Sequence, residues 1–287
     1  MKFLHYFTFL YTILLLGCQK NEAKPHNEPT QDLKIFYDVA YYDVINVLDP
    51  VTGWIHATDC DGTLWNGLAC SLDMPVRIDL AEYNPGEIHR RPSPSCYTKA
   101  DGDQGSKSTI SKDMLTGYMS CLWQRKDLDG LKRLANYGED HAWIMGKPLS
   151  MASRVQLGNN LTGILGRAIY SLSDGDSDRD YRRLPPVYLP VFEDYERHVQ
   201  VQGILLHEKI TGSITDQMLE RLNDNLYSNI NDPLFMAAVG KFTGEQKNTI
   251  DLLLRMTPCP SYARGKRADI YCQLNWLQAA RIVLDGK

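Results

Sequence analysis

The sequence predicts a mainly α-helical protein, one domain of about eight to ten helices stacked as hairpins behind a loop-rich N-terminal third. Three observations predict it. From Ser108 onward apolar residues recur at helical spacing, the connectors between them are short and carry capping chemistry, and no convincing apolar/polar alternation lies between them.

The elements follow in order. Met114, Leu115, Tyr118, Met119, Leu122 and Trp123 share one helical stripe, with Ser111 as N-cap and Asp113 in the first turn. A second helix follows Asp127 through Leu131 and Leu134 to about Gly138. A third runs over Leu161, Leu165 and Ile169, and a fourth from about Val191 through Val199 to Leu206. Thr215 opens a fifth, Asp232-Pro233 opens a sixth by N-cap and first-turn proline chemistry, and Thr243 caps a seventh that ends near Met256. The last helix runs through Ile270, Leu274, Leu277 and Leu284.

Residues 33–107 are less regular. Phe36, Ala40, Val44 and Val47 permit a helix and Leu64 to Leu72 another, whereas Tyr41-Tyr42 and the β-branched neighbours also suit a strand. Residues 84–107 hold three prolines and three glycines and read as a long loop.

With 43% hydrophobic and 23% charged residues, the 287-residue chain is neither disordered, collagen-like nor polytopic in a membrane. A net charge of −4 supplies no basic field, so nucleic acid is not an expected partner.

The N-terminus begins Met1-Lys2, continues with an apolar run from Phe3 to Leu16, and ends in Gly17-Cys18. Leu15-Leu16-Gly17-Cys18 resembles the lipobox of bacterial lipoproteins. That resemblance implies a signal peptide over residues 1–17 that is removed, an acylated (palmitate-bearing) Cys18 and a membrane anchored through it. Gln19 in place of Asp resembles the pattern passed on to the outer membrane. Residues 18–32 lack large apolar side chains and carry two prolines, the composition of a flexible tether, leaving 33–287 as the globular domain.

With Cys18 assigned to lipid, six cysteines remain, an even set suited to disulfides in an oxidising compartment. Cys259 and Cys272 flank a short loop and are the best pair, worth about 3 kcal/mol on the chain-entropy model. Cys60, Cys70 and Cys96 are close enough in sequence to supply another, and Cys121, on an apolar helix face, reads as a buried free thiol.

Three segments carry possible chemistry. Asp59-Cys60-Asp61-Gly62-Thr63 resembles the first motif of the haloacid dehalogenase-like phosphatases, with Gly146-Lys147-Pro148 and Gly175-Asp176…Asp180 resembling the later ones. The resemblance implies Asp59 as nucleophile and Asp61 as acid/base. That family sets its acids at the ends of buried parallel strands, however, while residues 54–58 form a poor apolar run and 159–172 read as helix. The second segment runs from Glu87 through Arg90 and Arg91 to Ser108 and Asp113, where an acid, fixed cations and a helix N-terminus converge. Here Asp113 is the candidate base or nucleophile, Glu87 the acid, and Arg90, Arg91, Arg154 and Ser108 the ligand-binding groups. In the third, Asp174, Asp176 and Asp178 copy the start of a calcium loop. Arg179 and Pro185 stand where its glycine and closing glutamate belong, so Ca²⁺ or Mg²⁺ is at most a weak partner and solvated charge the simpler account.

The helical array resembles the α/α toroid of envelope carbohydrate-active proteins, as an incomplete ring. Sixteen Tyr and five Trp against seven Phe suit wet, sugar-stacking surfaces. The expected function is non-catalytic binding of envelope glycan or a protein partner. The alternatives are glycan cleavage by Asp113 with a second carboxylate, or phosphatase chemistry at Asp59 and Asp61.

Overall fold

The computed structural model describes residues 29–92, 109–146, 159–175, 188, 190–191, 194–256 and 266–286. Ten α-helices and one two-stranded hairpin occur among them. They are α1 (Pro29–Asn46), α2 (Gly62–Ser71), β1 (Glu82–Asn84), β2 (Glu87–Ile88), α3 (Lys112–Gln124), α4 (Leu128–Asp140), α5 (Asn159–Leu172), α6 (Asp194–Thr211), α7 (Asp216–Ser228), α8 (Pro233–Thr243), α9 (Gln246–Arg255) and α10 (Lys266–Asp285). Short 3₁₀ turns, His56–Asp61 and Ile78–Ala81, precede α2 and β1. The mainly α fold class is therefore the one the periodicity predicts.

At the centre lies α2, in which every residue from Gly62 to Ser71 is buried. Its sequence carries no charge, as a helix enclosed on all sides requires. Its buried Asn66 is satisfied locally: Oδ1 accepts from the Ile55 amide at 2.8 Å, and Nδ2 donates to the Gly62 carbonyl at 2.9 Å. Helix α3 crosses α2 backbone to backbone, because Gly67 and Gly117 leave no side chain between them. One turn further on, Cys70 and Cys121 are joined by a disulfide with their Cα atoms 5.1 Å apart. The expectation of a free thiol at Cys121 is thus corrected: a face turned to a neighbouring helix places a cysteine opposite its partner as readily as in a core. Cys60 and Cys272 are also disulfide-bonded; Cys259, the partner expected for Cys272, lies outside the described residues.

The main core gathers α1 to α5 and α10. A second cluster, including Val201, Ile204, Met218, Leu222, Leu234 and Phe235, fills the space between α6, α7 and α8. Helix α10 packs on α8 and α1, bringing the two ends of the described chain together. Trp276 on α10 donates its indole N–H to the Leu253 carbonyl of α9 at 3.1 Å.

Side-chain caps open α4, α7 and α8. Thr215 Oγ1 accepts from the Met218 amide at 3.2 Å, and Asp232 Oδ1 accepts from Leu234 and Phe235 at 2.8 and 3.1 Å, with Pro233 following. Two expectations shift. Thr243 does not cap α9; it ends α8, its hydroxyl donating to the Val239 carbonyl, and Gly244 in the left-handed region (φ +81°) breaks the chain before α9 begins at Gln246. Residues 29–32 are helix rather than tether. Proline suits a first turn and Asp32 favours the positive end of the helix, so no apolar side chain is needed before Leu33, the first fully buried residue. Within α1 the buried side is Leu33, Tyr37 and Val44, whereas Phe36, a residue of the anticipated stripe, is largely exposed beside Ile35, Val39 and Tyr42. Tyr41 and Tyr42 lie on this helix, not on a strand. Among the described residues no helix is long and apolar enough to cross a membrane.

Candidate functional site

The segment singled out around residue 87 folds as a hairpin laid across α4. Glu82 of β1 is the rivet. Arg133 of α4 grips it in fork geometry, Nε to Oε1 and Nη2 to Oε2 both at 2.8 Å, while Tyr118 of α3 donates to Oε2 at 3.3 Å and the Gly86 amide to Oε1 at 2.7 Å. Burial alone would raise the Glu82 carboxyl; the Arg133 hydrogen bonds, the Gly86 amide and the Arg133 charge outweigh it and hold the carboxyl below its ordinary range. Tyr118, withdrawn from solvent beside that carboxylate, is pushed up. The turn at Gly86 (φ +77°) sits so tightly on α4 that a Cβ there would stand 2.2 Å from the Arg133 carbonyl oxygen.

This docking buries Glu87. Its Oε2 accepts from Asn84 Nδ2 at 2.6 Å and its Oε1 lies 3.0 Å from His89 Nε2, with both residues at most 5% exposed. The exposed ring of Tyr83 stacks on His89 at 4.3 Å between centroids. Between hairpin and α4 opens a groove of about 420 Å³, lined by Asn84 and Glu87 on one side and by Arg133, Tyr137, Asp140 and His141 on the other. Tyr137 and His141, one helical turn apart, stack at 4.0 Å, and His141 Nδ1 lies 2.8 Å from the Tyr137 carbonyl.

Arg90 continues the run into the core. It is 2% exposed and its Nη1 stands 3.5 Å from Asp61 Oδ1, while its amide donates to the Thr109 carbonyl and its own carbonyl accepts from the Thr63 amide, both at 2.8 Å. The structure therefore pairs Arg90 with Asp61 and, separately, Glu87 with His89, with half-buried Arg91 following in the chain. Asp113 sits apart from the groove lining. It is 5% exposed at the start of α3, its Oδ1 accepting from the Met114 amide at 2.8 Å and from the Ser111 hydroxyl. Ser111 holds the N-cap position without capping by its side chain, because its hydroxyl goes to Asp113 instead. Ser108, Arg154 and Cys18 lie outside the described residues.

The phosphatase-like motif lacks its strand. Residues 56–61 are a 3₁₀ turn feeding α2, and the sheet among the described residues is the hairpin alone. Asp174 is exposed in the left-handed region (φ +52°) after α5, and Asp176 and Asp178 lie outside the described residues. Among the described residues no three His, Cys, Asp or Glu side chains are grouped to hold a metal. Glu82, Arg133 and Tyr137 escaped the sequence reading, since 51 residues separate Glu82 from Arg133 and nothing local couples them.

The fold and this site define a mainly helical protein with a hairpin-roofed groove on α4. Against protein-family models, curated proteins and solved structures alike, the chain shows no match.

Proposed function

We propose that the protein is a lipid-anchored lipoprotein of the bacterial cell envelope, attached through Cys18 to the outer membrane, whose helical domain binds envelope glycan in the hairpin groove without cleaving it. The observation that carries the reading is the groove lining: the stacked Tyr137 and His141 rings share a groove of about 420 Å³ with Asn84 and Glu87. A flat ring face together with amide and carboxylate acceptors is the combination that holds a sugar, apolar C–H face on the ring and hydroxyls on the polar side. The Cys70–Cys121 bond supports the location, since an oxidising compartment sustains such bonds.

Two measurements test it. Mass analysis of the mature N-terminal peptide from membranes should find Cys18 acylated; an unmodified Cys18 removes the anchor. Titration with soluble peptidoglycan fragments should show saturable binding that Tyr137→Ala abolishes at unchanged melting temperature. Binding that survives Tyr137→Ala removes the groove, and new reducing ends that vanish with Glu87→Gln would turn the reading to glycan cleavage.

A further inference from the structure

A second cavity, of about 290 Å³, opens between the C-terminal turns of α2 and α3 and the helices α6, α8 and α10. Three cations line it. Lys241 donates to Glu208 at 2.6 Å, and Arg281 donates to Asp285 at 2.7 Å and lies 3.7 Å from Asp73, so these two charges are balanced. Among the described residues Lys209 makes no such pair. Lys209 lines the cavity and is exposed; the protein crowded around it, with the charges of Lys241 and Arg281, holds the ammonium below the ordinary lysine range against the opposing carboxylates of Asp285 and Glu208. A charge so placed gains from an anion brought into the cavity.

The remaining wall is suited to hydroxyls. Gln202 and Gln278, 4% and 9% exposed, bind each other, Nε2 of Gln202 donating to Oε1 of Gln278 at 2.6 Å and the reverse contact at 3.4 Å. Gln202 Nε2 also lies 3.5 Å from His198 Nε2, so Gln278 is the amide that keeps a second N–H. Trp123, packed in the core, adds an aromatic surface, with Lys126 Nζ 4.1 Å from its ring centroid. The volume stands at the lower end of ligand pockets, about 300–1,000 Å³, which is the size of a single substituted sugar ring.

We propose that this cavity binds a small anionic polyol, a sugar acid or sugar phosphate, with the anionic group on Lys209 and the hydroxyls on the Gln202–Gln278 pair. The site is separate from the hairpin groove and stands whether or not the groove binds glycan.

Calorimetric titration of the intact chain with glucuronate, glucose 6-phosphate, glucose and inorganic phosphate tests it. The two sugar anions should bind about tenfold or more tightly than glucose or inorganic phosphate, and Lys209→Gln should weaken them by at least that factor. Equal affinity for glucose and glucuronate overturns the role of the anion; equal affinity for inorganic phosphate and glucose 6-phosphate overturns the role of the ring. If Lys209→Gln fails to fold, amide spectra of the unaltered chain decide: glucuronate should shift the Gln202 and Gln278 side-chain resonances. Unmoved resonances, or no saturation by either sugar anion at millimolar concentration, overturn the proposal.

Discussion

Gly67 of α2 and Gly117 of α3 approach so closely that a Cβ on Gly67 would stand 2.3 Å from the Gly117 carbonyl carbon. In an isolated helix Gly→Ala stabilises by about 1 kcal/mol through propensity. Here the contact is backbone on backbone, so the helices must separate and the sign reverses. Gly67→Ala and Gly117→Ala should each cost about 1–3 kcal/mol or more in urea unfolding. A gain in stability would contradict this crossing.

The Cys70–Cys121 bond locks the same crossing across 51 residues. On the chain-entropy model it contributes about 4 kcal/mol. The double variant Cys70→Ala/Cys121→Ala should lose stability on that scale, and non-reducing peptide mapping should recover the two cysteines as one linked pair.

Glu82 and Arg133 make a separable claim. The Glu82 carboxyl is held below its ordinary value of 4.5 in the folded chain, so its pairing stabilises above that value, and the increment is lost as pH falls through the lower folded value. Glu82→Gln should therefore destabilise by about 1–3 kcal/mol at neutral pH and by progressively less at acid pH, the difference vanishing only below the lowered folded value, where both states bind the proton. Unfolding curves of the two proteins at neutral and acid pH check this.

His207 also costs stability as pH falls, but for the opposite reason: the fold disfavours its charged form. It is 6% exposed, and burial, then the charge of Arg167, depresses it from 6.5 to about 4. As pH falls below 6.5 the unfolded chain takes up a proton that the folded one resists, so stability declines until about pH 4 and then levels. A gap of that size is worth up to about 3 kcal/mol. His207→Gln should flatten that part of the stability profile; an unchanged slope would show that other groups produce it.

How much was legible follows from where the signal lies. Helices α3, α4, α7 and α8 announce themselves because stripes such as Met114, Tyr118 and Cys121, and caps such as Asp232-Pro233, depend on neighbours within a turn or two. The start of α1 was misplaced because its first turn needs capping chemistry rather than apolar mass. In the site, Glu87 and Arg90 were visible as charged residues beside a glycine-containing turn, but their buried pairing with His89 and Asp61 was not. Asp113 reads as a poised base or nucleophile from its helix position, and the fold gives it to the Ser111 hydroxyl and the Met114 amide.

By itself the sequence determined the helical class, the order of most helices and the expectation of an exported, anchored chain, since periodicity, capping and leader composition are local properties. Tertiary structure alone decided which helices meet at Gly67 and Gly117, that Cys121 pairs with Cys70, that Arg133 grips Glu82, and that Lys209 lines one cavity with Lys241 and Arg281. Those relations join residues tens of positions apart, and only the packing of the core brings them within reach of one another.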